Sequence, residues 1–123
     1  MYSRIVVMEY SGVGNKEFLE DEEGVKRELR VALEEAGAVV YDVYGRKLGP
    51  GVTALAIIGD GRNNFRGRSH AAVHTYPERA YLRLTLDCYS HMDPDRAKAR
   101  FSEILQPSQE PKMGELRLAL EEL

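Results

Sequence analysis

The chain opens with a run from Arg4 to Tyr10, "RIVVMEY", in which β-branched, aliphatic and aromatic residues crowd together before Ser11-Gly12 and Gly14-Asn15 break them off. A run of that kind bounded by turn formers predicts a strand. The period then changes. From Glu20 to Ala36 the apolar positions Val25, Leu29, Ala32, Leu33 and Ala36 recur every three or four residues, acidic side chains gather at the start and Gly37 follows the end. This predicts a helix with its dipole favourably charged and a glycine beyond its last turn. Val39 to Tyr44 predicts a second strand and Val52 to Ile58 a third, after the turn formers Gly49-Pro50-Gly51. The glycine- and arginine-rich stretch Gly59 to Gly67 is too long for a tight hairpin. "RSHAAVHTYPE", Arg68 to Glu78, supplies a fourth strand, and Ala80 to Cys88, with Tyr81, Leu82, Leu84 and Leu86, a fifth. Asp93-Pro94 starts a second helix, Asp at the cap and Pro in the first turn, running to about Leu105. The tail from Pro111 fits two patterns, because Leu116, Leu118 and Leu120 alternate like a strand while Leu116, Leu120 and Leu123 fit a helix.

Strands joined by short links, with one helix early and one late, predict an α+β fold: a two-layer sandwich of a mainly antiparallel sheet with two helices on one face. At 123 residues the chain has room for one such core and little more, so a single domain over residues 1–123 is expected. Two helices leave the other sheet face, carrying Val6, Ile57, Leu84 or their alternates, without cover. A second copy of the chain, a homodimer, is the economical partner.

Charge and composition remove several classes. Seventeen Lys and Arg against 20 Asp and Glu give a formal charge of −3, which offers no general attraction to nucleic acid or an anionic membrane. No apolar run approaches the roughly 20 residues a membrane-crossing helix needs. The N-terminal residues lack the succession of a signal peptide, and the single cysteine, Cys88, suits a reducing compartment. A cytoplasmic location is expected.

Two of the three histidines and a serine stand in the fourth strand, where valine and alanine would be enough for packing. His70 and His74 have the i, i+4 spacing that puts two imidazoles on one strand face, but no third ligand stands at matching spacing, so no metal site is expected. The string Ser69-His70-x-x-x-His74-Thr75-Tyr76-Pro77-Glu78, preceded by "GPGVTALAIIG", resembles the cleavage region of the bacterial and archaeal S-adenosylmethionine decarboxylases, small proenzymes whose internal serine becomes a pyruvoyl cofactor. The resemblance runs, more loosely, from the first strand to the second helix.

The resemblance implies the following chemistry. The Ser69 hydroxyl attacks the carbonyl of Arg68, turning amide into ester. Elimination across the serine Cα–Cβ bond then breaks the chain and leaves a pyruvoyl group, whose carbonyls accept electrons as a substrate amine loses carbon dioxide. His74 and Thr53 assist processing, Cys88 returns a proton to the substrate, and Tyr76 and Glu78 contact it. The default substrate is S-adenosylmethionine, in polyamine (spermidine) biosynthesis. A basic amino acid such as arginine or ornithine is the alternative amine, and an unprocessed, non-enzymatic dimeric binding protein is the third reading.

The sequence departs from the family pattern at four places. Arg68 stands where an acidic residue is usual, Asp60 to Gly67 adds about eight residues before the scissile bond, and Leu48 replaces an aromatic. Counted without gaps, the family's cysteine falls at Tyr89 rather than Cys88, so a turn near Arg79-Ala80 has to absorb one residue if Cys88 is to share a face with Ser69. Straight strand would also hold Ser69 and His74 roughly 16 Å apart and on opposite faces. Contact between them requires the chain to bend at Gly67 to His70.

Overall fold

Alternation along each strand decides which face is buried, and the four central strands agree on one side. The computed structural model describes residues 2–59, 68–89 and 91–119. Its strands are β1 (Tyr2–Tyr10), β2 (Val39–Leu48), β3 (Gly51–Gly59), β4 (Arg68–Tyr76), β5 (Tyr81–Cys88) and β6 (Lys112–Ala119), and its helices α1 (Glu22–Glu35) and α2 (Pro94–Leu105). The strands form one antiparallel sheet in the order β2-β3-β4-β5-β1-β6. This is the expected α+β sandwich. The doubtful tail is a strand, β6, which pairs Ile5 with Leu116. Leu120 and Leu123, which carried the helical alternative, lie outside the described residues, as does the insertion through Asp60 to Gly67.

The buried face carries Val6, Met8 and Tyr10 of β1, Val52, Ala54, Ala56 and Ile58 of β3, Ala71, Val73 and Thr75 of β4, and Leu82, Leu84, Leu86 and Cys88 of β5. Against it pack Val25, Leu29, Ala32 and Leu33 of α1 and Ala97, Phe101 and Leu105 of α2. Each fully buried Leu or Phe contributes on the order of 1.5–3 kcal/mol. Asp21 caps α1 by accepting from Gly24 N at 3.0 Å, and Asp93 caps α2 by accepting from Asp95 N at 3.1 Å, which fixes where both helices begin. Thr75, the one buried polar residue of the core face among those described, is fully used: its Oγ1 accepts from Val52 N at 2.8 Å and donates to Leu19 O at 2.5 Å. Gly51 opens β3 where a Cβ would strike the Thr75 carbonyl oxygen, so the start of β3 can lie this close to β4 only with glycine there.

The helix-free face is not the one drawn by Val6 and Leu84, which the helices cover. It carries Ile57 together with Leu55, Tyr44 and Leu116, all exposed, because β3 turns its odd-numbered positions outward. Among the described residues no helix is long and apolar enough to cross a membrane.

Candidate active site

Strand β4 carries the candidate residues in two groups, one at each end. At its C-terminal end, on the helix-free face, register sets Thr53 of β3 directly opposite His74, and Thr53 Oγ1 lies 3.0 Å from His74 Nδ1. The same row continues across the whole sheet: Arg46 pairs with Thr53, Arg83 with His74, Glu9 with Arg83 and Lys112 with Glu9. Burial first, and then the guanidinium of Arg83, hold the His74 pKa below the ordinary histidine value, which keeps the ring neutral near pH 7 and able to take a proton. A shallow depression of about 400 Å³ opens here, lined by Leu48, Thr53, His74, Tyr76 and Glu78 among others. Tyr76 borders a second hollow with Glu9, Arg79, Tyr81 and Arg83. In it the Tyr76 and Tyr81 rings lie 5.7 Å apart, and Tyr81 donates to Glu9 Oε2 at 2.6 Å. The residues assigned to substrate contact, Tyr76 and Glu78, thus stand beside the His74–Thr53 pair. Leu48 lines the same depression.

At the other end of β4, Ser69 is half-buried and its Oγ donates to the Asp87 carbonyl of β5 at 3.1 Å. The β4–β5 register pairs Ala71 with Leu86, and carried two residues further it sets Ser69 across from Cys88. Cross-strand neighbours have Cβ atoms about 4.5–5.5 Å apart. Cys88 is buried on the same, helix-facing side, with Leu82, Leu84 and Leu86. The link between β4 and β5 is irregular where the turn formers stand. Pro77–Arg79 forms one turn of 3-10 helix, and Ala80 follows with a left-handed φ of 49°, so that Tyr81 returns opposite Tyr76. Tyr89 lies just past β5, its ring stacked on His91 at 5.9 Å. Burial pushes the Cys88 thiol above its ordinary pKa, Arg4 pulls it down, and Glu115 and Asp87 push it up, so it keeps its proton at neutral pH.

Ser69 and His74 are not brought together. Strand β4 runs from Arg68 to Tyr76 paired to β3 and β5, and no bend at Ser69 or His70 carries Ser69 towards the imidazole. Gly67 lies outside the described residues, and so does the Arg68 side chain. His70 is exposed on the His74 face. Among the described residues no group of three His, Cys, Asp or Glu could hold a metal.

Sequence reasoning passed over Arg4. It lies opposite Cys88 on β1, its Nη2 donates to Cys88 Sγ at 3.4 Å, and its Nε forms an ion pair with Glu115 Oε1 at 3.1 Å. The signal was available, since Arg4 shares its parity with the buried Val6, Met8 and Tyr10.

The sheet and its two helices define the class: an antiparallel α/β sandwich, superimposing with a TM-score of 0.70 on the crystal structure of the adenosylmethionine decarboxylase from Aquifex aeolicus, at 15% identity and covering 98% of this chain and 94% of that one. A family model described as S-adenosylmethionine decarboxylase matches residues 4–116. Curated relatives named S-adenosylmethionine decarboxylase proenzyme include one from Aeropyrum pernix, 36% identical over 80% of this chain and 70% of its own length, and one from Brevibacillus brevis, 32% identical over 81% and 78%. The chain belongs to the S-adenosylmethionine decarboxylase family.

Proposed function

We propose that the chain is a proenzyme that cleaves itself between Arg68 and Ser69 and then decarboxylates S-adenosylmethionine with a pyruvoyl group made from Ser69, as a cytoplasmic step of polyamine synthesis. The observation that carries this reading is the placement of Ser69 and Cys88. Despite the one-residue slip, the left-handed turn at Ala80 sets the only thiol of the chain on the same face as the serine and on the adjacent strand.

The residues present fit the group. Ser69 opens a strand at the end of the sheet, half-buried, with its hydroxyl held by the Asp87 carbonyl and a protonated thiol on the neighbouring strand. A pyruvoyl group at that position supplies an electron sink for a bound amine that loses carbon dioxide. Cys88 holds the proton that the substrate carbon then needs, kept on sulfur by burial. The neutral His74, tied to Thr53 at 3.0 Å, has base character of the kind processing requires, but stands at the far end of β4 from Ser69. Tyr76 offers an aromatic face to a sulfonium cation, and Glu78 an exposed carboxylate beside it.

The test is carbon dioxide release from S-adenosylmethionine, arginine and ornithine supplied separately to the purified protein. Release from S-adenosylmethionine alone, lost in Ser69→Ala, is expected. Release from a basic amino acid instead would move the substrate to the alternative amine. A chain that stays uncleaved and releases none would leave the unprocessed binding-protein reading.

A further inference from the structure

Arg4 stands where the fold calls for an aliphatic side chain. Its parity on β1 is that of Val6, Met8 and Tyr10, all buried, yet it places a guanidinium against the family's candidate proton donor. Its two ends do different things. Nη2 donates to Cys88 Sγ at 3.4 Å. Nε is buried without a hydrogen-bond partner and lies 3.1 Å from the Glu115 carboxylate of β6, an ion pair by distance and charge alone, with 19% of the arginine side chain and 35% of the glutamate exposed. Glu115 is itself held by Arg117 Nε at 2.7 Å. A chain Arg117–Glu115–Arg4–Cys88 therefore runs inward from the edge strand, through β1, to β5. An isolated surface pair of this kind contributes little to stability, and the core would gain more from an apolar residue at position 4. The arrangement makes sense as a device acting on the sulfur.

We propose that Arg4, held in place by Glu115, is a positioning residue that orients the Cys88 thiol and stabilises the thiolate left when its proton is given up. The proposal rests on the reading of Cys88 as donor. In that step the S–H bond breaks, a C–H bond forms on the substrate carbon that has lost carbon dioxide, and the electron pair of the broken bond stays on sulfur, 3.4 Å from a fixed cation. A charge-assisted contact of that type strengthens as negative charge develops. The charged groups facing the thiol are Arg4 from β1, Glu115 from β6 and Asp87 from its own strand; burial foremost, with both carboxylates, raises its pKa and Arg4 lowers it. Arg4 is the group among them that favours the thiolate.

The experiment has two readouts. In uncleaved Ser69→Ala protein, the chain's single cysteine, isotope-labelled at Cβ, gives one resonance whose pH titration follows Cys88 without any turnover. Arg4→Met is expected to move that titration to higher pH, and Arg4→Lys to return it most of the way. Arg117→Met takes a guanidinium off the same carboxylate without touching the sulfur and should leave it in place. In otherwise unmutated, cleaved enzyme, Arg4→Met should lower kcat by roughly tenfold or more while KM and the rate of self-cleavage hold, a smaller loss than the roughly 10²–10⁴-fold expected for Cys88→Ala. An unmoved titration in Arg4→Met, or an equal movement in Arg117→Met, overturns the coupling of Arg4 to the thiol. Full turnover in Cys88→Ala overturns the donor reading itself, and the titration tells that failure apart from the first.

Discussion

His74 shows how one strand position acquires a chemical property. It faces away from the helices, bonded to Thr53 on one side and opposite Arg83 on the other. Partial burial and the arginine both disfavour its charged form. If the neutral imidazole assists the break at Arg68–Ser69, the cleavage rate should rise with pH through a midpoint below the ordinary histidine value of about 6.5 and then level off. The sign follows from the lowered pKa: the active, neutral form persists to lower pH than it would in an unperturbed ring. Arg83→Gln removes the like charge and should move the midpoint upward, and His74→Gln should slow cleavage by roughly 10²–10⁴-fold. A midpoint above 6.5 in the unmutated protein, measured by gel densitometry across a pH series, would contradict this role.

At the scale of elements, legibility followed the strength of the local signal. The helices were plain because the apolar period of the first and the Asp93-Pro94 start of the second are strong local signals. Asp93 caps as expected, and the first helix begins two residues later than expected, capped by Asp21. Strands β3, β4 and β5 were plain because apolar runs stand between turn formers. The tail was ambiguous because leucines two and four apart satisfy both periods, and only pairing with β1, a long-range contact, decides for a strand. The sheet face was misjudged for Val6 and Leu84 for a related reason: alternation says that two faces exist but not which one the helices take. In the candidate site, the motif names Ser69 and His74, and the turn formers at Arg79-Ala80 mark where the chain can take up the one-residue slip to Cys88. Arg4 was missed because a single charge in a strand reads as an edge or end residue. Only the register to Cys88, 84 positions away, gives it a chemical neighbour.

At the scale of the whole molecule, Ser69 and Cys88 stand side by side at the N-terminal end of β4 and the C-terminal end of β5 on the helix-facing side, and His74 and Tyr76 at the other end of β4 on the helix-free side. The helix-free face carries exposed Tyr44, Leu55, Ile57 and Leu116, an apolar surface whose burial is worth roughly 25 cal/mol per Å². A second copy laid across that face would cover it. A homodimer is therefore expected by light scattering at micromolar concentration, and a monomer would contradict that expectation. The central claim, that Ser69 is the precursor of the reacting group, is tested most directly by the intact masses of the purified protein under denaturing conditions. The account predicts two fragments, residues 1–68 ending in Arg68 and residues 69–123 beginning with a group that has no free amine, and a single full-length chain for Ser69→Ala. Unmutated protein that remains one full-length chain for hours would contradict it.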